Sequence, residues 1–114
     1  MEEALVATAW NNGSYYTSGA GYGLKVSVLD RDKHFKREWG SVELHLPARD
    51  QPVRVNIEKD SFWGPTCREL INSEIGRWLL GIGAAPWPQG APPRILLTPA
   101  GTGVFQVRLA SARS

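Results

Sequence analysis

Two stretches of the chain, residues 41–46 and 53–58, alternate strictly between apolar and polar side chains. Successive side chains of a β-strand point to opposite faces, so each stretch predicts a strand with one buried face and one wet face. The six residues between them begin with Pro47 and end with Pro52. Because proline favours turn conformations, this segment can close a hairpin, and the two strands are predicted to pair.

Four further stretches predict strands because they are rich in apolar and β-branched residues and are bounded by turn-forming segments. They are residues 4–10, 24–29, 95–98 and 104–109. The last two flank P-A-G-T-G, which is typical of a hairpin turn. The chain therefore contains about six predicted strands.

The strongest helical pattern covers residues 65–80. Its apolar side chains recur at spacings of three and four and share one face: Cys67, Leu70, Ile71, Ile75, Trp78 and Leu79. Pro65 suits the first helical position, and Gly81 suits the end of a helix. Gly76 interrupts the interior, and a close contact with a strand is the favoured explanation. Residues 30–39 predict a second helix of one or two turns, which Asp30 can cap.

Together these elements predict an α+β fold in a single domain spanning residues 1–114. One long amphipathic helix and one short helix pack against a curved, mostly antiparallel sheet of about six strands. An open sheet and a small, partly closed barrel fit the pattern equally well. The length of 114 residues and the hydrophobic content of 42% agree with one globular domain.

The charge and the cysteine content limit the classes of protein to which the chain can belong. Thirteen Lys and Arg residues against eleven Asp and Glu give a net charge of +2, which permits nucleic-acid binding without the strong basicity of a dedicated binder. A weak basic patch of Arg94, Arg108 and Arg113 lies in a tail without acidic residues. Cys67 is the single cysteine, which excludes an internal disulfide and favours the cytoplasm.

The first ten residues lack the basic start of a secretory signal, and no apolar run approaches the length that spans a membrane. We therefore expect no membrane partner.

The most distinctive segment is N-N-G-S-Y-Y-T-S-G-A-G-Y-G-L-K, at residues 11–25. Glycines allow a backbone to approach a ligand closely, so bare N–H groups could reach an anion while a tyrosine and a lysine add a ring and a charge. The segment matches neither the dinucleotide-binding motif nor the P-loop. A tight structural turn is the alternative. The ligand-binding candidates of this loop are Gly19, Gly21, Tyr22, Gly23 and Lys25.

Five tryptophans, at positions 10, 39, 63, 78 and 87, are unusually many for this length. Trp78 belongs to the apolar face of the predicted helix. Trp63 and Trp87 are either lids on the core, with the indole N–H donating to a backbone carbonyl, or stacking platforms for a base or sugar. The core lid is the more common role. As stacking platforms, Trp63 and Trp87 are ligand-binding candidates, and Tyr15 and Tyr16 could contribute to the same surface.

Residues 30–38 gather acid, base and imidazole in one short segment. The weak catalytic candidates are Asp30, Asp32 and His34, whose carboxylates could hold a divalent cation and whose imidazole could exchange protons. On a helix these three would point in widely separated directions, and a solvated charged helix has the same composition. The two histidines and Cys67 lack metal-ligand spacing, so we predict no metal site and no cofactor.

The segments G-A-G-Y-G-L-K, D-R-D-K-H-F, S-F-W, E-I-G-R-W-L and A-P-W-P-Q-G-A-P-P together resemble a small family of uncharacterised prokaryotic proteins. The resemblance spans most of the chain. It implies a stand-alone bacterial or archaeal domain, and it implies no activity, cofactor or catalytic residue.

From these features we expect first a binding module for nucleic acid or another anionic ligand, acting through the Gly/Tyr-rich loop and nearby aromatic residues. A protein–protein interaction subunit that uses the proline-rich residues 84–93 or a sheet edge ranks second. A small metal-assisted hydrolase or nuclease using Asp30, Asp32 and His34 ranks last.

Overall fold

A computed structural model describes residues 3–14 and 16–110. Its elements in chain order are β1 (Leu5–Asn11), β2 (Tyr22–Lys25), α1 (Val28–His34), a 3-10 turn (Arg37–Trp39), β3 (Ser41–His45), β4 (Val53–Asn56), α2 (Asp60–Trp63), β5 (Glu69–Ile71), α3 (Ser73–Gly81), β6 (Arg94–Gly101) and β7 (Val104–Leu109). The α+β class predicted from the sequence is confirmed. None of the helices in the described residues is both long and apolar enough to cross a bilayer.

Within the described residues, seven strands form one mixed sheet in the order β4-β3-β7-β6-β1-β2-β5. Neighbouring strands run antiparallel except for β3 and β7, which are parallel. The two edge strands, β4 and β5, come into contact, and the Asn72 Nδ2 atom donates a hydrogen bond to the Arg54 carbonyl oxygen at 3.1 Å. The curved sheet is therefore nearly closed into a barrel.

The inner faces of the strands fill the barrel with apolar side chains, as the alternation predicts. In β1, for example, Leu5, Ala7 and Ala9 are buried, and the residues between them face outward. The largest fully buried side chains are Tyr22, Phe62, Phe105, Leu24, Leu44, Ile57, Leu70, Ile75, Leu79, Ile95, Leu97 and Val26. Burial of this apolar surface is the main favourable contribution to folding.

The strand directions give the barrel two ends. The described residues between β1 and β2, 12–14 and 16–21, lie with residues 46–52 and α3 at one end, called here the α3 end. Helices α1 and α2, the 3-10 turn and the β6–β7 turn lie at the other, called the α1 end. The Gly/Tyr-rich loop and the charged residues 30–38 are therefore at opposite ends of the molecule.

The long helix predicted over residues 65–80 is wrong in its first half. Glu69–Ile71 forms strand β5 and pairs with β2, and only Ser73–Gly81 is helical. Between them Asn72 caps α3, because its side-chain oxygen accepts a hydrogen bond from the Glu74 backbone N–H at 2.8 Å. Cys67, expected on a buried helix face, is exposed because no helix forms there.

The other departures from prediction involve shorter segments. The two predicted hairpins are present, β3 with β4 and β6 with β7. The strand predicted at residues 24–29 is wrong beyond Lys25: β2 covers Tyr22–Lys25, and Val28 and Leu29 belong to α1, which begins here because the Ser27 side-chain oxygen accepts a hydrogen bond from the Asp30 backbone N–H. The predicted short helix is split into α1 and the 3-10 turn. Strand β5 brings the count in the described residues to seven rather than about six.

Candidate functional site

The glycines of the Gly/Tyr-rich loop approach other parts of the chain closely. A Cβ atom added at Gly19 would lie 2.2 Å from the Ser73 carbonyl oxygen, and one at Gly21 would lie 2.6 Å from the Asn12 Oδ1 atom. A Cβ atom at Gly23 would lie 2.6 Å from the Leu70 carbonyl oxygen, across the β2–β5 pair. Internal packing thus accounts for the absence of side chains at these positions. Ligand contact by these three glycines stays a prediction.

Tyr22 and Trp87 meet at the α3 end of the barrel. Tyr22 points inward and is fully buried, and Trp87 contacts it edge to face with ring centroids 5.9 Å apart. Trp87 is half-buried and packs against the core. The Tyr22 ring is enclosed by protein, so in this conformation it presents no surface to a ligand. Tyr15 lies outside the described residues.

Trp63 lies at the α1 end, remote from Trp87. Its indole Nε1 donates a hydrogen bond to the Ile57 carbonyl oxygen at 2.8 Å, and the Arg31 guanidinium lies 5.4 Å from its ring centroid. These contacts are those of a lid on the core, the alternative considered for this residue. The structure therefore separates the two tryptophans that were candidates for one binding surface.

Asp32 and His34 line a common hollow at the α1 end, and Asp30 is not among its lining residues. The Asp32 carboxylate accepts a hydrogen bond from Arg31 Nε at 3.0 Å. In the described part of the chain, no three His, Cys, Asp or Glu side chains are grouped so that they could hold a metal ion. The three catalytic candidates therefore do not converge.

Trp10 occupies an environment different from that of the other tryptophans, all of which are described. Trp78 is buried, and Trp39, Trp63 and Trp87 pack against the core. Trp10 follows the buried Ala9 in β1, so its partly exposed side chain faces outward from the barrel. On the same face of β1 lie Thr8 and Val6.

Two cationic side chains flank Trp10 on this outer face. Thr8 pairs with Lys25 of β2 on one side and with Arg94 of β6 on the other. Each cation is therefore a diagonal cross-strand neighbour of Trp10, at a typical Cα separation of about 7–8 Å, within reach of long side chains. We call the outward-facing side chains of this region the Trp10 face: Val6, Thr8, Trp10, Lys25, Glu69, Ile71, Arg94, Leu96 and Arg108.

The charge of the Trp10 face is positive. Lys25 Nζ lies 3.7 Å from the Glu69 carboxylate and is still 38% exposed. Arg94 and Arg108 are exposed, and neither forms an ion pair with any other described residue. Arg113, the third arginine of the sequence patch, lies outside the described residues. Two guanidinium groups are therefore available to an anion.

Apolar side chains are exposed between these charges. Val6 is 45% exposed and Ile71 is 40% exposed. Leu96 pairs with Val6 on one side and with Arg108 on the other. An aromatic ring, aliphatic side chains and cations thus share one face of the sheet, a combination suited to a ligand that has both flat apolar rings and negative charge.

The signal for this surface was present in the sequence. Arg94 and Arg108 were recognised as a patch, and Lys25 as a binding candidate. Trp10 is the last residue of the strand predicted at residues 4–10, so strand position alone does not mark it as a binding residue, although the alternation of β1 places it on the face opposite the buried Ala7 and Ala9. Neither a protein-family model, nor a curated protein, nor a solved structure matches the chain at a significant level. The fold and the surface therefore define the class: a small α+β barrel with a basic, aromatic outer face.

Proposed function

We propose that this protein is a binding module for single-stranded nucleic acid, with the Trp10 face as its contact surface. The observation that carries the proposal is the position of Trp10, which faces outward between Lys25 and Arg94. A base can stack on the indole while the neighbouring cations contact phosphates of the nucleic-acid backbone. Each such stack contributes about 1–3 kcal/mol of binding free energy and is tolerant of base identity.

The Gly/Tyr-rich loop belongs to the same surface. It connects Trp10 at the end of β1 to Lys25 in β2, and within it Tyr16 is 55% exposed. The tight packing of Gly19 against α3 fixes the base of the loop. A nucleic-acid strand lying across β6, β1 and β2 would meet Arg94, Trp10 and Lys25 in succession. This retains the expected role of the loop and moves the principal contacts onto the sheet.

Only a few phosphates can contact the cations of the Trp10 face, and their number sets how strongly the binding affinity depends on salt. Each phosphate contact to single-stranded nucleic acid contributes about −0.7 to the slope of log K against log salt. With Lys25, Arg94 and Arg108 engaged, we expect a slope of about −2. The affinity is accordingly moderate and falls visibly between low and physiological salt.

The test is fluorescence anisotropy with labelled oligothymidylate and oligouridylate of about twelve nucleotides, within the site sizes of small β-barrels. We expect saturable binding at low salt. Replacing both Lys25 and Arg94 by glutamine should weaken it and reduce the magnitude of the salt slope by about 1.4. Trp10→Leu should weaken it by about 5- to 150-fold, the loss of one stacking interaction.

Arg54→Gln is the matched control. Arg54 also faces outward from a strand and is exposed, but it lies on β4, which is separated from β1 and Trp10 by β3, β7 and β6 in one direction around the sheet and by β5 and β2 in the other. Its substitution should leave the affinity within about twofold, an effect of the size expected for a charge outside the interface. Absence of binding at low salt, or an equal loss from Arg54→Gln and Arg94→Gln, contradicts the proposal. In the first case a protein partner becomes the next ligand class to test.

The proposal also places the protein in the prokaryotic cytoplasm, where single-stranded nucleic acid is accessible. Its support is the single cysteine, Cys67, and the resemblance of the sequence to prokaryotic proteins. Fractionation of the source cells, followed by immunodetection, tests this placement. Recovery with the envelope or the medium would contradict it.

A further inference from the structure

A second surface, independent of the Trp10 face, lies at the α1 end of the barrel. It is a hollow of about 410 Å³, within the size range of small-ligand sites. At its floor the rings of Phe35 and Phe105 stack with centroids 5.0 Å apart and planes inclined by 23°. Trp39 forms part of the wall and is half-buried. The interior is therefore aromatic.

The β6–β7 hairpin is irregular beside the hollow. The register between the two strands shifts between Pro99 and Gly101, so β6 contains a bulge. Bulges bend a strand and are frequent beside binding sites. Pro99, Gly101 and Thr102 contribute the wall opposite α1. The hollow therefore lies between the bulged end of the hairpin and residues 32–39.

The rim of the hollow is cationic. Asp32 is paired with Arg31, whose Nη2 atom lies 3.0 Å from the carboxylate. Lys33 is paired with Glu3, and this hydrogen bond raises the pKa of the lysine and lowers that of the glutamate. The side chains of Lys36 and His34 form no hydrogen bond or ion pair with other described residues. An ammonium group and an imidazole are therefore available at the rim.

We infer that this hollow binds a small planar anion, an aromatic or heteroaromatic ring that carries a phosphate or a carboxylate. The ring lies against Trp39 above the stacked phenylalanines, and the anionic group is held by Lys36 and His34. Both parts of the ligand are needed, because the ammonium group of Lys36 alone is exposed to water and the aromatic walls alone are shallow. This inference goes beyond nucleic-acid binding by the sheet and does not depend on it.

The experiment is a titration of the ¹⁵N-labelled full chain, followed by NMR, with 5′-AMP, 5′-UMP and 4-hydroxybenzoate. Adenosine, which lacks the anion, and inorganic phosphate, which lacks the ring, are the comparison probes. We expect the three aromatic anions to shift the amide signals of residues 33–39 and 99–105 in a saturable way. Adenosine and phosphate should bind at least about tenfold more weakly, the effect of losing a charge-assisted hydrogen bond or a stacked ring.

Lys36→Gln is the central variant, because Lys36 is exposed and its replacement should not disturb folding. It should weaken binding of 5′-AMP by about tenfold or more. Lys25→Gln is the crossed control: it should leave 5′-AMP binding unchanged while weakening oligonucleotide binding on the Trp10 face. Failure of either proposal can therefore be distinguished from failure of the other.

Three outcomes would overturn the inference. The first is the absence of localised shifts with all three anions up to about 1 mM, which corresponds to only weak binding. The second is adenosine binding as tightly as 5′-AMP, or Lys36→Gln binding as tightly as the unaltered protein. The third is a set of shifts that maps to Trp10 and its neighbours instead of the hollow.

Discussion

Gly19 and Gly76 pack backbone against backbone where the Gly/Tyr-rich loop crosses helix α3. A Cβ atom added at Gly76 would lie 2.2 Å from the Gly19 carbonyl oxygen and 2.6 Å from its Cα atom. The Arg77 guanidinium strengthens the same junction by donating to the Ser18 carbonyl oxygen at 2.9 Å. The glycine inside the helix was expected to contact a strand, and its actual neighbour is this loop. The position of the loop beside Trp10 therefore depends on α3.

Gly76→Ala should destabilise the protein although alanine favours helices. The higher helix propensity of alanine stabilises the folded state by about 1 kcal/mol. A methyl group forced into a packed contact typically costs about 1–3 kcal/mol, and here the neighbouring atoms are main-chain atoms, which cannot move aside as a side chain can. We expect a net loss of stability in urea denaturation. Gly81→Ala, in the last position of the same helix with no atom within 4 Å of the added Cβ, should be neutral or stabilising. Equal effects at the two positions would show that the contact is unimportant.

Ala48→Gly should stabilise the protein. Ala48 lies in the turn between β3 and β4 with a φ angle of 61°, a left-handed conformation that is unfavourable for residues with a Cβ atom. Glycine removes this strain, but it also gives the unfolded chain more conformational entropy, which opposes folding. The net increase in unfolding free energy should be about 0.5–1 kcal/mol. Thermal and urea denaturation measure it. The control Ala91→Gly is an exposed loop position without a positive φ angle, and it should lose stability.

Arg31→Met should destabilise the α1 end of the barrel. The buried Arg31 guanidinium donates from Nη1 to the carbonyl oxygens of Phe62 at 3.0 Å and Gly64 at 2.7 Å, and it covers the Trp63 ring. Methionine fills a similar volume but leaves these acceptors without a donor, at a cost of about 2–4 kcal/mol. The exposed Arg54→Met should change stability by less than about 0.5 kcal/mol. A small effect at Arg31 would mean that water replaces its hydrogen bonds.

Glu74 should make stability depend on pH in the acid range. A hydrogen bond from Arg77 lowers the pKa of the Glu74 carboxyl below its ordinary value. The folded state therefore holds the proton less tightly than the unfolded state. The contribution of the Glu74–Arg77 hydrogen bond to stability is present above the pKa of Glu74 in the unfolded state, and it is lost as the pH falls through the pKa of Glu74 in the folded state. Both side chains are more than a third exposed, so the effect is small and screened by salt.

Comparison of the unaltered protein with Glu74→Gln tests this linkage. Glutamine resembles the protonated carboxyl group, so the difference in unfolding free energy between the two proteins should shrink as the solution is acidified. An NMR titration of the Glu74 side chain should give a midpoint below that of an ordinary glutamate. A stability difference that stays constant with pH would show that the ion pair makes no contribution.

Much of the sheet could be predicted because its signal is local. Alternation in the first hairpin, and apolar content with a turn motif in the second, place the strands of both hairpins within three residues of their observed bounds, and β7 is predicted without error. Residues 65–80 show where local patterns fail. Leu70 and Ile71 satisfy both the spacing of a helical face and a short strand, and only the pairing of β5 with β2 decides between them.

The two candidate surfaces also depend partly on local sequence and partly on tertiary structure. The outward direction of Trp10 and the basic character of Arg94 and Arg108 follow from the chain itself. The placement of Lys25 and Arg94 on either side of Trp10 depends on the registers of β1 with β2 and with β6. Similarly, Trp39 and Pro99 are far apart in the chain and share a hollow only because the barrel brings their segments together.

The amino-acid order alone determined which side chains face inward along β3 and β4, where the two hairpins turn and what net charge the chain carries. These properties depend on residues within a few positions of one another. The near closure of the barrel, the strand at Glu69–Ile71 and the opposite placement of the two candidate sequence motifs were decided by tertiary structure. They arise from hydrogen bonds and side-chain contacts between distant segments, whose register is set by the burial of all the inner faces in one common core.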